Sequence, residues 1–227
     1  MKAPRVSVLM PVYNAAETLL QTLESIAGQS FEDFEVVAVD DGSEDGSGEI
    51  LQGWVEKDCR FRVLLEEHRG IVETPNRGLE ECRGEFVARM DADDKMHPQR
   101  LDKQVGMLDA DEGLSVVSCL VETFPREDVG QGMIIYEDWL NGLVEGEDIL
   151  REFFIESPIA NPSAMIRRRE LVELDVYQDR GWPEDYDLWL RYRAEGKRFA
   201  KVPEILHYWR EHGQRATHTN NRYSVEN

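Results

Sequence analysis

Cysteine and lysine are the scarce residues of this 227-residue chain. Three cysteines, Cys59, Cys82 and Cys119, stand far apart, odd in number and without a CxxC pair. That argues against a disulfide framework or a zinc knot and points to buried thiols in a reducing cytoplasm. Lysine occurs six times, so most of the positive charge is arginine. Against 26 basic residues stand 46 acidic ones, a net charge of −20. Such a field repels phosphate backbones and anionic headgroups, which argues against nucleic-acid or wholesale membrane-surface binding. Salt adaptation and simple compositional drift account equally well for the acid excess. No apolar run approaches the roughly 20 residues that span a bilayer. The amino end, cut by Pro11, lacks a signal-peptide core and cleavage site. Internal repeats, low-complexity tracts and the Walker pattern GxxxxGK(S/T) are also missing.

What is present suits one folded domain. The chain is 41% hydrophobic and 9% aromatic, enough for a real core. Its first half alternates strand and helix signals. Short apolar runs at 6–10, 34–39, 61–65, 86–90 and 114–121 read as strands. Between them, Leu19, Leu23 and Ile26 recur at helical spacing, as do Leu101, Val105 and Leu108 behind Pro98, a residue favoured just inside a helix start. Ser47 is placed to cap a helix carrying Leu51 and Trp54. Leu79 and Cys82 mark a short helix ending near Gly84. Repeated β-α-β units of this length predict a Rossmann-like, mostly parallel central sheet with helices on both faces. From 124 to 147 an acidic stretch punctuated by glycine reads as a loop or lid with short helices. Further on, 149–155 and 186–192 read as helical, 164–166 and 204–209 as strands, and the tail from Gly213 as loose.

Ligands of open parallel sheets sit at the carboxyl ends of strands. Three clusters fall there: Pro11, Tyr13 and Asn14; Asp40, Asp41 and Ser43; and Asp91, Asp93 and Asp94. Each has a neutral reading as a helix-entry turn, a type I turn or a solvated acidic turn. Their recurrence at one edge carries the functional reading. Gathered carboxylates need a compensating cation or proton, and hard oxygen ligands suit Mg²⁺ or Mn²⁺. An aromatic such as Tyr13 can edge a nucleobase. Trp182 is a candidate sugar-stacking surface, and Trp189 fits the core. The basic run at 167–169 and His97 read as surface.

Taken in order, VSVLMPVYNAAETL, VAVDDGSEDGS, NRGLEECRGEFVARMDADD and PEDYDLWLRY resemble the family-2 inverting glycosyltransferases of the GT-A type fold, from about residue 5 to 212. The resemblance implies a nucleotide-sugar donor, often a UDP-sugar, and a divalent metal. It divides the single domain into a nucleotide-sugar-binding half, 1–123, and an acceptor-binding and catalytic-base half, 124–227. It implies that Pro11 and Tyr13 line the base, that Asp41 meets uracil beside its neighbour Asp40, and that Asp91 lies near the ribose and Asp93 on the metal. Asp94 becomes a supporting acid. Glu184 and Asp185 match the acceptor-side pair in which the aspartate is the general base. His212 matches a carboxy-terminal metal ligand, against a neutral reading as an exposed loop residue. Relatives often carry arginine two places before the glycine of the third motif. Here Asn76 stands there, and the nucleotide-contacting arginine shifts to Arg69. The implied acceptor is a glycan, lipid-linked or protein hydroxyl in surface polysaccharide synthesis, met without a membrane span and so by peripheral contact at most. Two rivals are a glycosyltransferase-like scaffold without turnover and a sugar-nucleotide nucleotidyltransferase. The intact Asp93 and Asp185 disfavour the first. The lack of a glycine-rich, basic loop after the first strand disfavours the second.

Overall fold

The structure, a computed structural model, describes residues 3–213. In chain order its elements are β1 (Val6–Val12), α1 (Ala16–Ala27), β2 (Phe34–Asp41), α2 (Ser47–Val55), β3 (Phe61–Glu66), α3 (Glu73–Glu81), β4 (Phe86–Arg89), β5 (Lys95–Met96) and α4 (Arg100–Ala110). There follow β6 (Leu114–Phe124), α5 (Gln131–Gly142), α6 (Gly146–Glu152), β7 (Met165–Arg167), α7 (Arg168–Glu173), α8 (Glu184–Ala194) and β8 (Arg198–Arg210). The eight strands form one sheet in the order β3-β2-β1-β4-β7-β6-β8-β5. Strands β1 to β4 pair in parallel, as β6 does with β8, whereas β7 runs antiparallel to both its neighbours and β5 antiparallel to β8.

Strand β2 is buried along its whole length because both faces of the sheet are covered. Successive side chains of a strand point to opposite faces. Val36 and Ala38 enter one core with Leu19, Leu23, Ile26, Leu51, Leu101 and Leu108, while Val37 and Val39 enter the other with Leu79, Leu171, Leu188, Trp189 and Tyr192. Trp189 is therefore core, as its helical position suggests. The opposite end of the sheet from the acidic clusters is closed by Glu35. It accepts from Ser7 Oγ at 2.8 Å and from Arg83, whose charge helps hold its carboxyl below the ordinary range against the effect of burial.

Several local expectations are corrected. Ser47 does not cap α2. Gly46 holds that position, and Asp45 accepts the Ser47 N–H at 3.0 Å and the Ala16 N–H at 2.8 Å, so one carboxylate serves the starts of two helices. Pro98 lies two residues ahead of α4 rather than inside it. The stretch read as a lid holds a twelve-residue helix, α5, whose Leu140 is buried. Strand β8 is thirteen residues long, more than twice the expected run. Its pairing with β6 shifts register at Cys119 and Leu120, which breaks the period-2 pattern a reader relies on. Burial pushes the Cys82 thiol up to about 12 and the Cys119 thiol up to about 11, whereas Cys59 is exposed rather than buried. The run at 167–169 is partly structural. Arg167 donates to the Leu114 and Leu108 carbonyls at 2.7 Å, and Arg168 to the Gly84 carbonyl at 2.7 Å. The tail expected to be loose lies, beyond Gly213, outside the described residues.

Gly84 packs tightly against the backbone of β1. A Cβ there would lie 2.5 Å from the Ser7 nitrogen and 2.7 Å from the Val6 carbonyl carbon, both backbone. Gly84→Ala should lower stability by about 2–3 kcal/mol in urea unfolding. Gly53→Ala, where nothing lies within 4 Å inside α2, should raise it by about 0.5–1 kcal/mol.

Candidate active site

The carboxyl ends of β1, β2 and β4 open into one cleft of about 2640 Å³. Pro11, Tyr13, Asp41, Asp91, Asp93, Glu184, Asp185 and His212 all line it. Asp40 and Arg69 do not. The Asp40 side chain is buried on the α2 side, with Oδ2 accepting the Ser43 N–H at 3.3 Å. Arg69 contributes its backbone. Its N–H donates to Asp41 Oδ1 at 2.7 Å, while its guanidinium lies 3.6 Å from Glu66.

Asp41 organises the loop after β3. Its Oδ2 accepts the Gly70 N–H at 2.9 Å and lies 2.9 Å from His68 Nδ1. The His68 ring tilts against Tyr13 with centroids 4.4 Å apart. Gly42 permits this approach. Its φ is +72°, and a Cβ would sit 2.9 Å from the His68 nitrogen. Two further loops are laced together beside them. Asn14 accepts the Glu44 N–H at 2.9 Å and donates its own N–H to Ser43 Oγ at 2.9 Å. The base-side wall is thus preformed by hydrogen bonds between loops remote in sequence.

The acidic cluster divides by partner. Asp94 is buried, accepting from His207 Nε2 at 2.9 Å and from the Arg210 N–H at 2.7 Å. Arginine only donates, so the 3.1 Å bond from Arg100 to His207 Nδ1 puts the ring proton on Nε2. Arg100 also donates to the Arg89 carbonyl at 2.8 Å and to Gln104 at 3.1 Å. Strand β8 is thereby locked beneath the loop, and its continuation brings His212 Nε2 to 2.8 Å from Asp93 Oδ2. Carboxylate oxygens of Asp91, Asp93 and Asp94 lie within 4.8 Å of one another. With both Asp94 oxygens engaged, Asp91 and Asp93 are left to offer hard oxygen ligands of the kind that suit Mg²⁺ or Mn²⁺, and His212 stands against Asp93.

Across the cleft, α8 begins at Glu184, so Asp185 sits in its first turn, where backbone N–H groups favour a carboxylate. Its Oδ1 accepts the Tyr186 N–H at 2.8 Å. Burial pushes the Asp185 carboxyl up to about 6, the Asp91 charge adds to the rise, and helix N–H groups and Arg89 oppose it. Its neighbour Glu184, which also lines the cleft, is buried. Trp182 lines the cleft, its Nε1 donating to Asp187 at 3.3 Å. Asp187 also takes Arg191 at 2.8 Å and so ties Trp182 to α8.

Three residues carry this geometry unmarked by the sequence reading: His68, His207 and Arg89. Each follows or sits in an apolar strand, and only Arg89, charged within the apolar run at 86–90, offers a local signal. Asp94→Ala, which leaves His207 and Arg100 buried without their acid, should cost about 3–5 kcal/mol in chemical unfolding. Asp93→Ala, at the half-exposed pair with His212, should stay within about 1 kcal/mol of the native chain.

Residues 7–174 match the family model described as Glycosyl transferase family 2. The amylovoran biosynthesis glycosyltransferase AmsE of Erwinia amylovora is 29% identical over 204 residues, covering 88% of this chain and 74% of AmsE. Among solved structures, S. aureus TarS 1-349 in complex with UDP-GlcNAc aligns with a TM-score of 0.74 at 21% identity, over 95% of this chain and 61% of that one. Mannosyltransferase PcManGT from Pyrobaculum calidifontis, in complex with GDP-Man and Mn²⁺, aligns with a TM-score of 0.71 at 24% identity, over 92% of this chain and 57% of that one. The sheet order, the flanking helices and these likenesses make the architecture a GT-A fold. With the family model spanning most of the chain, the protein belongs to glycosyltransferase family 2.

Proposed function

We infer that the protein is a metal-dependent, inverting glycosyltransferase that moves a sugar from a nucleotide diphosphate, most simply UDP, to an acceptor hydroxyl in polysaccharide synthesis. The observation that carries this reading is the placement of Asp185 in the same cleft as the Asp91, Asp93 and His212 donor set. The first 123 residues serve the donor and the rest the acceptor. Pro11, Tyr13, His68 and Asp41 form the base slot, with Asp40 and the Arg69 backbone as its supports.

Asp91 meets the donor's ribose side, and Asp93 with His212 holds the cation. A bound divalent ion supplies positive charge for the departing diphosphate. Asp185 accepts the proton of the acceptor hydroxyl as that oxygen bonds to the anomeric carbon. The bond from that carbon to the diphosphate oxygen breaks in the same step, from the opposite face, so the configuration inverts. Glu184 supports the base from the preceding position. Four cleft-lining aromatic residues of the second half, Tyr136, Trp182, Tyr186 and Trp209, suit a carbohydrate acceptor, since sugar faces stack on rings. AmsE, named for amylovoran biosynthesis, supports a polysaccharide product. The sugar nucleotides of TarS and PcManGT support the donor class, and the Mn²⁺ of PcManGT the metal. Among the described residues no helix is long and apolar enough to cross a membrane, which fits peripheral contact with a lipid-linked acceptor from the cytoplasmic side.

Calorimetric titration of UDP and GDP, each with Mn²⁺ and with EDTA, tests the donor site. Binding of UDP that needs Mn²⁺ and is lost in Asp93→Ala is expected. A preference for GDP would overturn the uracil role of Asp41, and no binding by the folded chain would overturn the enzyme reading. Asp185→Asn should retain nucleotide affinity and lose transfer by about 10³-fold or more. An Asp185 carboxyl near 6 is protonated, and so unable to accept a proton, below that pH. Turnover should therefore rise with pH through about 6 and level off above 7, while a flat profile from 5 to 8 would remove Asp185 as the base.

A further inference from the structure

Asn161 opens a single 3₁₀ turn (Asn161–Ser163) between α6 and β7 and lines the cleft, although it is only 8% exposed. An amide at that depth needs its polar groups answered. Among the described residues its side chain makes one hydrogen bond, through Oδ1, which accepts from the Tyr177 hydroxyl at 3.1 Å. Tyr177 is buried and does not line the cleft, and among the described residues its hydroxyl bonds nothing else. The phenol proton therefore has one acceptor, and the amide is assigned from it. Oδ1 faces the tyrosine, and the two Nδ2 protons lie on the other limb, toward the open volume.

Both partners of this bond are held rigidly. Behind Tyr177 the backbone is strained. Asp175 and Val176 have φ of +61° and +43°, left-handed values at which a β-branched residue is an outlier. Such conformations persist only where the surroundings over-determine them, and they cluster at ligand clamps. Arg191, paired with Asp187 at 2.8 Å, donates to the Val176 carbonyl at 2.6 Å. Asn76 accepts the Tyr177 N–H at 3.1 Å and donates to its carbonyl at 2.8 Å. On the other side the 3₁₀ turn is pinned. Ser163 Oγ donates to the Ala160 carbonyl at 2.7 Å, the Ser163 carbonyl accepts from Gln104 at 2.9 Å, and the Ala164 carbonyl accepts the Arg89 N–H at 2.9 Å. The amide is fixed before any ligand arrives.

Its position selects the ligand. Strand β7 runs antiparallel to β4, with Met165 opposite Ala88, so Asn161 lies beyond the carboxyl end of β4, where the loop with Asp91 and Asp93 begins. Tyr177 belongs to the segment that leads into α8, whose first turn carries Asp185. The amide thus stands at the join between the diphosphate side of the cleft and the base side. In the transfer reaction the group between those two is the sugar. Sugar hydroxyl oxygens accept hydrogen bonds, and a neutral amide meets them without adding charge to a cleft already rich in carboxylates.

We propose that Asn161 is a specificity-determining residue for the transferred sugar, its amide turned by Tyr177 so that Nδ2 donates to a hydroxyl oxygen of that ring. Tyr177 is then a positioning residue. The role rests on the reading of the cleft as a sugar-nucleotide site and adds a sugar-recognising group to it.

Calorimetry of the full chain with Mn²⁺ tests this, with UDP and GDP as sugar-free probes and UDP-glucose, UDP-galactose, UDP-GlcNAc and GDP-mannose as sugar-bearing ones. Asn161→Ala should weaken the sugar nucleotide that the native chain binds most tightly by about 3–10-fold, the worth of one neutral hydrogen bond, and leave the free nucleotide within about twofold. Tyr177→Phe keeps the ring and removes the hydroxyl that turns the amide. It should weaken the same sugar nucleotide by about 2–3-fold and spare the free nucleotide. Should Asn161→Ala fail to fold by circular dichroism because it orphans the buried hydroxyl, the double variant Asn161→Ala with Tyr177→Phe removes both partners and takes its place with the same expectation. Equal weakening of sugar-free and sugar-bearing probes marks a structural lesion and overturns the proposal, as does an unchanged affinity for every sugar nucleotide. A folded native chain that binds none of these probes overturns instead the reading of the cleft, and the proposal with it.

Discussion

The guanidinium of Arg100, wholly buried at the start of α4, binds four parts of the molecule at once. It holds the end of β4 through the Arg89 carbonyl, β8 through His207, and, by way of Gln104, the carbonyls of Val117 in β6 and Ser163 before β7. Burial pulls its pKa down, with nearby Cys119, Asp94 and Asp91 pulling the other way. Such a charge is tolerable only with its hydrogen bonds complete, so the arrangement around it has little freedom. His207 passes the constraint to Asp94, and Asp94 fixes the backbone of Arg210. The separation of Asp93 from His212 thus depends on Arg100, His207 and Asp94, none of which lines the cleft.

Above that base the cleft concentrates acids, and the fold answers each differently. Asp41 and Asp45 are met by backbone N–H groups, Asp94 by a histidine and an amide, Asp187 by arginine and indole, and Asp91 by Arg89. Asp41, Asp45, Asp94 and Asp187 are thereby held by partners within the fold. Asp93 and Asp185 line the open volume, with His212 and helix N–H groups as their company.

Periodicity made the layered sheet legible. Runs such as FEVVAVDD are apolar without alternation, which in a chain of this length means a strand covered on both faces, and the strand ends located the clusters at Pro11, Asp41 and Asp91. The motif order linked these to Asp185 and His212, more than ninety residues further on. Local patterns misled where a residue's partner was distant. Ser47 looked like a cap, yet Asp45 performs that task for two helices. The stretch 124–147 read as a loop or lid with short helices, whereas its middle is a single twelve-residue helix, α5, which lays Leu140 against Val121 of β6. Strand β8 was legible only over 204–209, because bulges reset its alternation over the rest.

The amino-acid sequence by itself determined the class of fold, the edge of the sheet where the acids gather and the family to which the chain belongs, because these follow from patterns that repeat over short spans. Only the tertiary structure decided which partner each acid meets. Asp40 and Asp41 are neighbours, but strand pleating turns one toward α2 and the other into the cleft. Asp93 and Asp94 are neighbours too, and the buried bonds from His207 and Arg210 make one an anchor and leave the other for His212. Arg69 and Arg89 are both arginines near a strand end, yet one guanidinium turns to Glu66 and the other is buried against Asp91 and the Leu9 carbonyl. Such assignments depend on which groups the folded chain brings within about 3 Å, a distance at which pairing, burial and charge outweigh position in the sequence.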